Sequence, residues 1–122
     1  MREIKVAKSA GFCAGVKRSV DMAEKLISEK GNCCCYGEII HNDDVVNDLE
    51  SRGLRVVHSI GPELEGKNVI IRSHGISRDD FEKLSSICAS VTDATCGKVK
   101  HIHEIVSRAE SEGKFVFVIG AR

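Results

Sequence analysis

Two cysteines occupy matching positions, each between a predicted strand and the start of a predicted helix. Cys13 lies in the segment 11–18 (GFCAGVKR), and Cys96 lies in the segment 92–99 (TDATCGKV). A helix start lowers the pKa of a thiol, and the thiolate is the form of cysteine that binds metals. The sequence therefore predicts thiolate metal ligands, although the spacing leaves open a glycine-containing turn with an inert thiol. Neither cysteine belongs to a Cys-x-x-Cys pair, which disfavours a thioredoxin-type dithiol.

Two histidines also follow predicted strands. His41 lies in the segment 37–42 (GEIIHN), and His74 lies in the segment 70–75 (IIRSHG). Because the carboxyl ends of parallel strands converge on one crevice, we expect the two imidazoles to approach each other. Imidazole groups near a helix start can bind phosphate oxygens. Either histidine alone is typical of a solvated surface residue, but the pair favours an anion site.

The remaining cysteines and histidines carry weaker signals. Cys33–Cys35 are consecutive on a predicted strand, so their side chains alternate between faces and cannot chelate one ion well. We expect them to be buried thiols that act as small apolar groups, and we expect Cys88 to lie in the core. His101 and His103 are two residues apart on a predicted helix, do not share a face and are expected to be solvated. His58 indicates no function.

The elements that must position these residues alternate between strands and helices. Strands are predicted at Glu3–Ala7, Cys33–Tyr36, Arg55–His58, Asn68–Arg72, Ser90–Thr92 and Phe115–Ile119. Four helices are predicted between them, from apolar residues at helical spacing. This alternation with short connections predicts an α/β fold, with a mainly parallel sheet that is covered by helices. It does not give the order of the strands.

The composition excludes several classes of protein. The 122 residues are 42% hydrophobic and 30% charged, which is typical of a globular domain rather than a disordered chain. The 18 basic and 18 acidic residues give zero formal net charge, and only 4% of residues are aromatic, so no nucleic-acid partner is expected. No apolar run reaches the roughly 20 residues that span a bilayer, and the N-terminus does not resemble a secretion signal. We therefore expect no membrane partner and a cytoplasmic location.

Taken together, the segments resemble those of the LytB/IspH family, the 4-hydroxy-3-methylbut-2-enyl diphosphate reductases. The order and spacing of GFCAGVKR (11–18), GEIIHN (37–42), IRSHG (71–75) and DATCGKV (93–99) match the family across essentially all of the chain. The resemblance implies the last step of the non-mevalonate isoprenoid route. In that step two electrons and two protons remove the hydroxyl of an allylic diphosphate, giving isopentenyl and dimethylallyl diphosphate. It also implies a 4Fe–4S cluster and an external electron donor of the ferredoxin or flavodoxin type.

The resemblance assigns roles to four residues. Cys13 and Cys96 match two of the three cysteines that hold the cluster, whose fourth iron is open to the substrate hydroxyl. His41 and His74 match the histidines that contact the substrate diphosphate. The third cysteine and the His-Pro-Glu segment, whose Glu takes part in proton delivery, are implied to lie beyond Arg122. Several Ser, Thr and Asn ligands of the diphosphate are implied there too, so no catalytic residue is expected within this chain.

The resemblance also implies a division of the chain within a three-domain family fold. Residues 1–13 would form an N-terminal strand and the first cluster-ligand turn, residues 14–96 the first α/β domain, and residues 97–122 the start of the second. The sequence ends directly after a predicted strand, where a crossover helix is expected, so we interpret it as a truncated chain. Gly97 stands where the family usually has proline, and Ser73 where alanine is common.

Two other functions stay open at this point. A non-catalytic module that binds diphosphate or another anion would use His41 and His74 without a cluster. A zinc or redox-thiol protein would use Cys33–Cys35, which the alternation of side chains along a strand disfavours.

Overall fold

The computed structural model describes residues 2–120, in which strands and helices alternate. The strands are β1 (Cys33–Tyr36), β2 (Leu54–Val57), β3 (Asn68–Ile71) and β4 (Ser90–Asp93). The helices are α1 (Ala14–Glu29), α2 (Asp43–Ser51), α3 (Arg78–Ile87) and α4 (Gly97–Ser111), with a short 3-10 helix at Pro62–Leu64. The predicted α/β class is confirmed. Met1, Ala121 and Arg122, at the outer limits of the predicted domains 1–13 and 97–122, lie outside the described residues.

The four strands of the described chain form one parallel sheet in the order β2-β1-β3-β4. Tyr36 at the end of β1 pairs with Val57 on one side and Ile71 on the other, and Ile71 pairs with Asp93. The chain leaves β1 for one edge of the sheet and leaves β3 for the opposite edge. The order therefore reverses between β1 and β3, and in open α/β sheets such a reversal leaves a crevice beyond the strand ends.

Helices cover both faces of the sheet. Helices α1 and α2 pack on the face that contains Cys33, Cys35 and the fully buried Leu49. Helix α3 and the 3-10 helix pack on the other face, which contains Cys34 and the fully buried Leu84. The predicted burial of Cys33–Cys35 is confirmed. Because successive residues of a strand point to opposite faces, the middle thiol is separated from its two neighbours by the sheet itself.

The strands predicted at the two ends of the sequence are wrong. The segment Glu3–Ala7, predicted to be the strand of the N-terminal region 1–13, has no strand structure. The segment Phe115–Ile119 has none either. Their apolar side chains are exposed, with Ile4 at 89% and Phe115 at 92%. A strand needs a neighbour for its N–H and C=O groups, and within residues 2–120 neither segment pairs with the sheet. The other four predicted strands agree with the structure to within one residue at each end.

Helix α4 differs from the other helices because none of its residues is buried. Ile102 and Ile105 are 54% and 53% exposed. The proposed boundary between residues 96 and 97 stays a prediction. No helix within residues 2–120 combines the length and the apolar character that crossing a bilayer requires.

Helix α2 begins at a side-chain cap next to His41. The Oδ1 atom of Asn42 accepts a hydrogen bond from the backbone N of Val45 at 3.1 Å. We expect Asn42→Ala to lower the free energy of unfolding by about 1 kcal/mol, measured by urea denaturation, because the N–H loses its partner. Asn47 is exposed in the middle of the same helix, where alanine is the better helix former, so Asn47→Ala is the matched control. Equal losses in the two variants would contradict the capping role.

Candidate functional site

The loops after β1 and β3 bring His41 and His74 together at the reversal of strand order. Their ring centroids lie 4.4 Å apart, with the ring planes tilted by 42°. The backbone N of Ser73 donates to the carbonyl of Ile39 at 3.1 Å, which joins the two loops. The carboxylate of Glu38 lies 3.9 Å from Nδ1 of His41. Both rings are exposed, so a ligand beyond the strand ends can reach them.

The surroundings of His74 disfavour its charged form. Burial lowers the pKa of His74 below its ordinary 6.5, and the positive charges of His41 and Arg72 lower it further. Arg72 packs over Gly37, where a Cβ would lie 2.9 Å from Cδ of the arginine, and its Nε donates to the carbonyl of Gly75 at 3.4 Å. A neutral imidazole still donates one hydrogen bond to a phosphate oxygen, and a bound anion would favour protonation of His74.

Each of the two predicted metal-ligating cysteines is the N-cap of a helix. Cys13 precedes α1 and Cys96 precedes α4, and neither side chain makes a capping hydrogen bond. The Sγ atom of Cys96 packs against Gly15 in the first turn of α1, where a Cβ would collide with the sulfur. Cys13 is exposed and Cys96 is half-buried. The sulfur of Cys96 therefore lies beside the helix start that carries Cys13.

Residues 93–96, here called the 93–96 turn, connect β4 to α4. Oδ1 of Asp93 accepts from the backbone N of Thr95 at 2.9 Å and from its Oγ1 at 2.5 Å, while Oδ2 lies 2.6 Å from Nζ of Lys100. Burial raises the pKa of the Asp93 carboxyl, but the hydrogen bonds from Lys100 and Thr95 outweigh it and hold the pKa below its usual range. The backbone N of Cys96 donates to the carbonyl of Ser73 at 2.9 Å, next to the histidine pair.

Sequence reasoning selected the segment 92–99 for its cysteine and missed the role of Asp93. The available signal was an aspartate two residues before a backbone N–H that can donate a hydrogen bond to its carboxylate, which is the pattern of an Asx turn. It also missed the contact between Gly15, in the first turn of α1, and the sulfur of Cys96, because these two residues are more than 80 positions apart in the sequence.

His103 was expected in solvent and is exposed, but it also contacts the loop after β3. A Cβ at Gly75 would lie 2.9 Å from Cε1 of His103 and 3.2 Å from Cγ2 of Thr95. Gly75 also has a φ of 78°, a conformation that favours glycine. Helix α4 and the 93–96 turn therefore pack closely on the residue that follows His74. His101 is exposed, as predicted.

The donor set fits part of an iron–sulfur site. Thiolates are the usual protein ligands of iron–sulfur clusters, and Cys13 and Cys96 are the thiols that neither belong to a core cluster of the described residues nor pack against one. Within residues 2–120, no three side chains of His, Cys, Asp or Glu come together as a complete metal site. The described residues thus offer two thiols that could hold such a group, but no complete site.

The six thiols are expected to differ strongly in reactivity. Burial raises the pKa of Cys35 to about 12, and burial also raises the pKa values of Cys33, Cys34 and Cys88. At about pH 8 an alkylating reagent should modify the exposed Cys13 in the native protein, because reaction requires an accessible thiolate. Cys35 should react only after unfolding, as peptide mass spectrometry would show. Equal native rates at these two positions would contradict the burial of β1.

Comparison with known sequences identifies relatives of one kind. The family model described as LytB protein matches residues 4–122. The 4-hydroxy-3-methylbut-2-enyl diphosphate reductase of Aquifex aeolicus is 45% identical over 100% of this chain, and that of Caldanaerobacter subterraneus subsp. tengcongensis is 40% identical over 97%. This chain covers 42% of the length of each relative.

Comparison with solved structures agrees. A structure of (E)-4-hydroxy-3-methyl-but-2-enyl diphosphate reductase matches 99% of this chain with a TM-score of 0.81 and 42% identity. The E-1-hydroxy-2-methyl-but-2-enyl-4-diphosphate reductase of Plasmodium falciparum matches 86% with a TM-score of 0.79 and 29% identity. This chain covers 43% and 33% of those two chains, so it spans less than half of its relatives. The kinship predicted from the four sequence segments is confirmed, and the chain belongs to the LytB family.

Proposed function

We propose that this chain forms part of the active site of a 4-hydroxy-3-methylbut-2-enyl diphosphate reductase. The reaction consumes two electrons and two protons, breaks the bond between the substrate carbon and its hydroxyl, and releases water. Its products are isopentenyl and dimethylallyl diphosphate. The observation that carries the proposal is the placement of two cysteines at helix starts and two adjacent histidines beyond the carboxyl ends of the strands, in a chain of this family.

Cys13 and Cys96 are proposed to hold two irons of a 4Fe–4S cluster, with a third ligand from a segment beyond this chain. When bound, the cluster supplies electrons and a Lewis-acidic iron to the substrate hydroxyl. This chain contributes two thiols at the starts of α1 and α4. The electron donor is proposed to be a ferredoxin or flavodoxin type of protein, and the location to be the cytoplasm.

His41 and His74 are proposed to bind the diphosphate. Their rings are adjacent, so both can donate hydrogen bonds to oxygens of one phosphate group. Such bonds are stronger when the acceptor is charged, and the bound anion offsets the repulsion that disfavours the charged form of His74. The residue that delivers protons to the substrate is not assigned to this chain.

The test is anaerobic reconstitution of the intact gene product with iron and sulfide. We expect broad charge-transfer absorption in the visible range and about four irons per chain, followed by formation of the two isoprenoid diphosphates with a chemical reductant. Absence of the absorption would contradict the proposal. If pyrophosphate still bound to such a cluster-free protein, the result would support a non-catalytic anion-binding module instead.

A further inference from the structure

The start of α1 is attached to the 93–96 turn by side chains of the protein alone. Ser19 is fully buried, and its hydroxyl lies 2.7 Å from the carbonyl of Ala94 and 3.0 Å from the carbonyl of Gly15. Arg18 adds a second link, because Nη1 donates to another carbonyl of the turn at 3.4 Å. The two segments that carry the proposed cluster ligands are therefore connected without a metal ion.

Gly15 has a steric role in this arrangement. It lies in the first turn of α1, and its φ is not in the left-handed region, so its backbone does not require glycine. A Cβ at this position would collide with Sγ of Cys96 and would lie 3.3 Å from its Cβ. The space that Gly15 leaves is occupied by the sulfur, which gives a steric reason for glycine at this position.

Asp93 has the complementary role for the backbone. Its carboxylate accepts two hydrogen bonds from Thr95 and pairs with Lys100 in the second turn of α4. These contacts lie on both sides of Cys96 in the sequence. Asp93 therefore fixes the conformation of the 93–96 turn together with the start of the helix that Cys96 caps.

We propose that Gly15 and Asp93 are positioning residues that place the Cys96 thiol for cluster binding before any metal is present. Asp93 fixes the backbone that carries the thiol, and Gly15 leaves the space that the sulfur fills. The inference rests on the proposed function, since that function makes Cys96 a ligand. A ligand that is already in place binds a metal more tightly than one that must be ordered, and loss of such support typically costs about 10- to 100-fold in metal affinity.

The experiment compares Gly15→Ala, Asp93→Ala and Asp93→Asn in the intact gene product. Gly97→Ala is the matched control, because Gly97 is also in the first turn of a helix, and apart from its chain neighbours Cys96 and Lys98 and the backbone of its own helix no atom lies within 4 Å of an added Cβ. After reconstitution, the rate of iron release to a chelator is measured together with the melting temperature. We expect release about 10- to 100-fold faster for Gly15→Ala and Asp93→Ala, and unchanged for Gly97→Ala.

Asp93→Asn distinguishes positioning from general destabilisation. Asparagine keeps an oxygen that can accept from the Thr95 backbone, so this variant should release iron more slowly than Asp93→Ala. If Gly15→Ala does not fold, the comparison of Asp93→Asn with Asp93→Ala still tests the inference. Loss of melting temperature with unchanged iron release would overturn the inference.

A second measurement separates failure of this inference from failure of the proposed function. In the metal-free protein, Gly15→Ala should expose the sulfur and make alkylation of Cys96 faster, whereas Gly97→Ala should not. A wild-type protein that takes up no cluster would overturn the proposed function, and the alkylation rates would still decide whether Gly15 places the thiol. Variants that retain the cluster as well as the wild type would overturn the positioning role and leave the proposed function intact.

Discussion

Replacement of Cys13 or Cys96 by serine in the intact gene product is expected to remove most of the bound iron and to abolish product formation. A serine hydroxyl is not ionised near neutral pH, whereas a thiolate is a strong ligand of iron–sulfur clusters. Each variant also leaves one fewer thiol at the paired helix starts of α1 and α4. We expect most of the iron to be absent, measured by colorimetric iron analysis and visible absorption after anaerobic reconstitution.

Cys88→Ser is the matched control for this prediction. Cys88 is a half-buried thiol at the end of α3, packed against the core face that contains Leu84, and burial raises its pKa. It is therefore protonated near neutral pH and is not expected to bind iron. If Cys88→Ser lost as much iron as Cys13→Ser, the assignment of Cys13 and Cys96 as cluster ligands would be wrong.

The second large effect is expected from His41→Ala and His74→Ala, which should keep the cluster and weaken diphosphate binding. A hydrogen bond to a charged group is worth about 1.5–3 kcal/mol, so each variant should raise the dissociation constant roughly 10- to 100-fold. Calorimetric titration with pyrophosphate measures the constant, and iron analysis shows whether the cluster remains. Because the two rings are in contact, the double variant should lose less than the sum of the single losses.

His101→Ala is the control, because His101 is an exposed histidine on α4 and should not affect binding. The pH dependence has a definite sign. The free protein disfavours protonation of His74 and a bound anion favours it, so binding should take up protons and strengthen as the pH falls towards the ordinary 6.5. The difference in proton uptake between the wild type and His74→Ala separates the ring from titration of the diphosphate itself. Unchanged affinity in both histidine variants would contradict the diphosphate role.

The strands of the sheet could be predicted from the sequence because local apolar patterns mark them. Cys33–Tyr36 and Asn68–Ile71 are short apolar runs, and such runs form the strands of a sheet that is covered on both faces. Apolar periodicity reports which side chains can be buried, but it does not report whether a neighbouring strand is present. For this reason Phe115–Ile119 has the composition of a strand and, within the described residues, no strand structure. The strand order depends on long-range pairing and could not be predicted.

The candidate site was predictable only as a set of residue types. The convergence of strand ends predicted that His41 and His74 approach each other, and their rings are in contact. The packing of Cys96 on Gly15 joins residues that are distant in the sequence, and no local pattern reveals it. The geometry of the histidines and cysteines fits more than one anion and more than one metal. Their ligands are therefore identified by family membership and by the experiments described above.

The two central strands and the outer strand β4 support different properties of the proposed enzyme. The histidine pair depends on β1 and β3, whose side-by-side register is fixed by the buried middle of the sheet. The Cys96 thiol depends on the 93–96 turn and on the start of α1. The backbone N of Cys96 donates to the carbonyl of Ser73, in the loop that carries His74. The two properties are nevertheless joined, because Gly75, which follows His74, also packs against His103 of α4. A substitution that shifts α4 is therefore expected to change the affinity for diphosphate together with the retention of the proposed cluster, so selection on one property acts on the other as well.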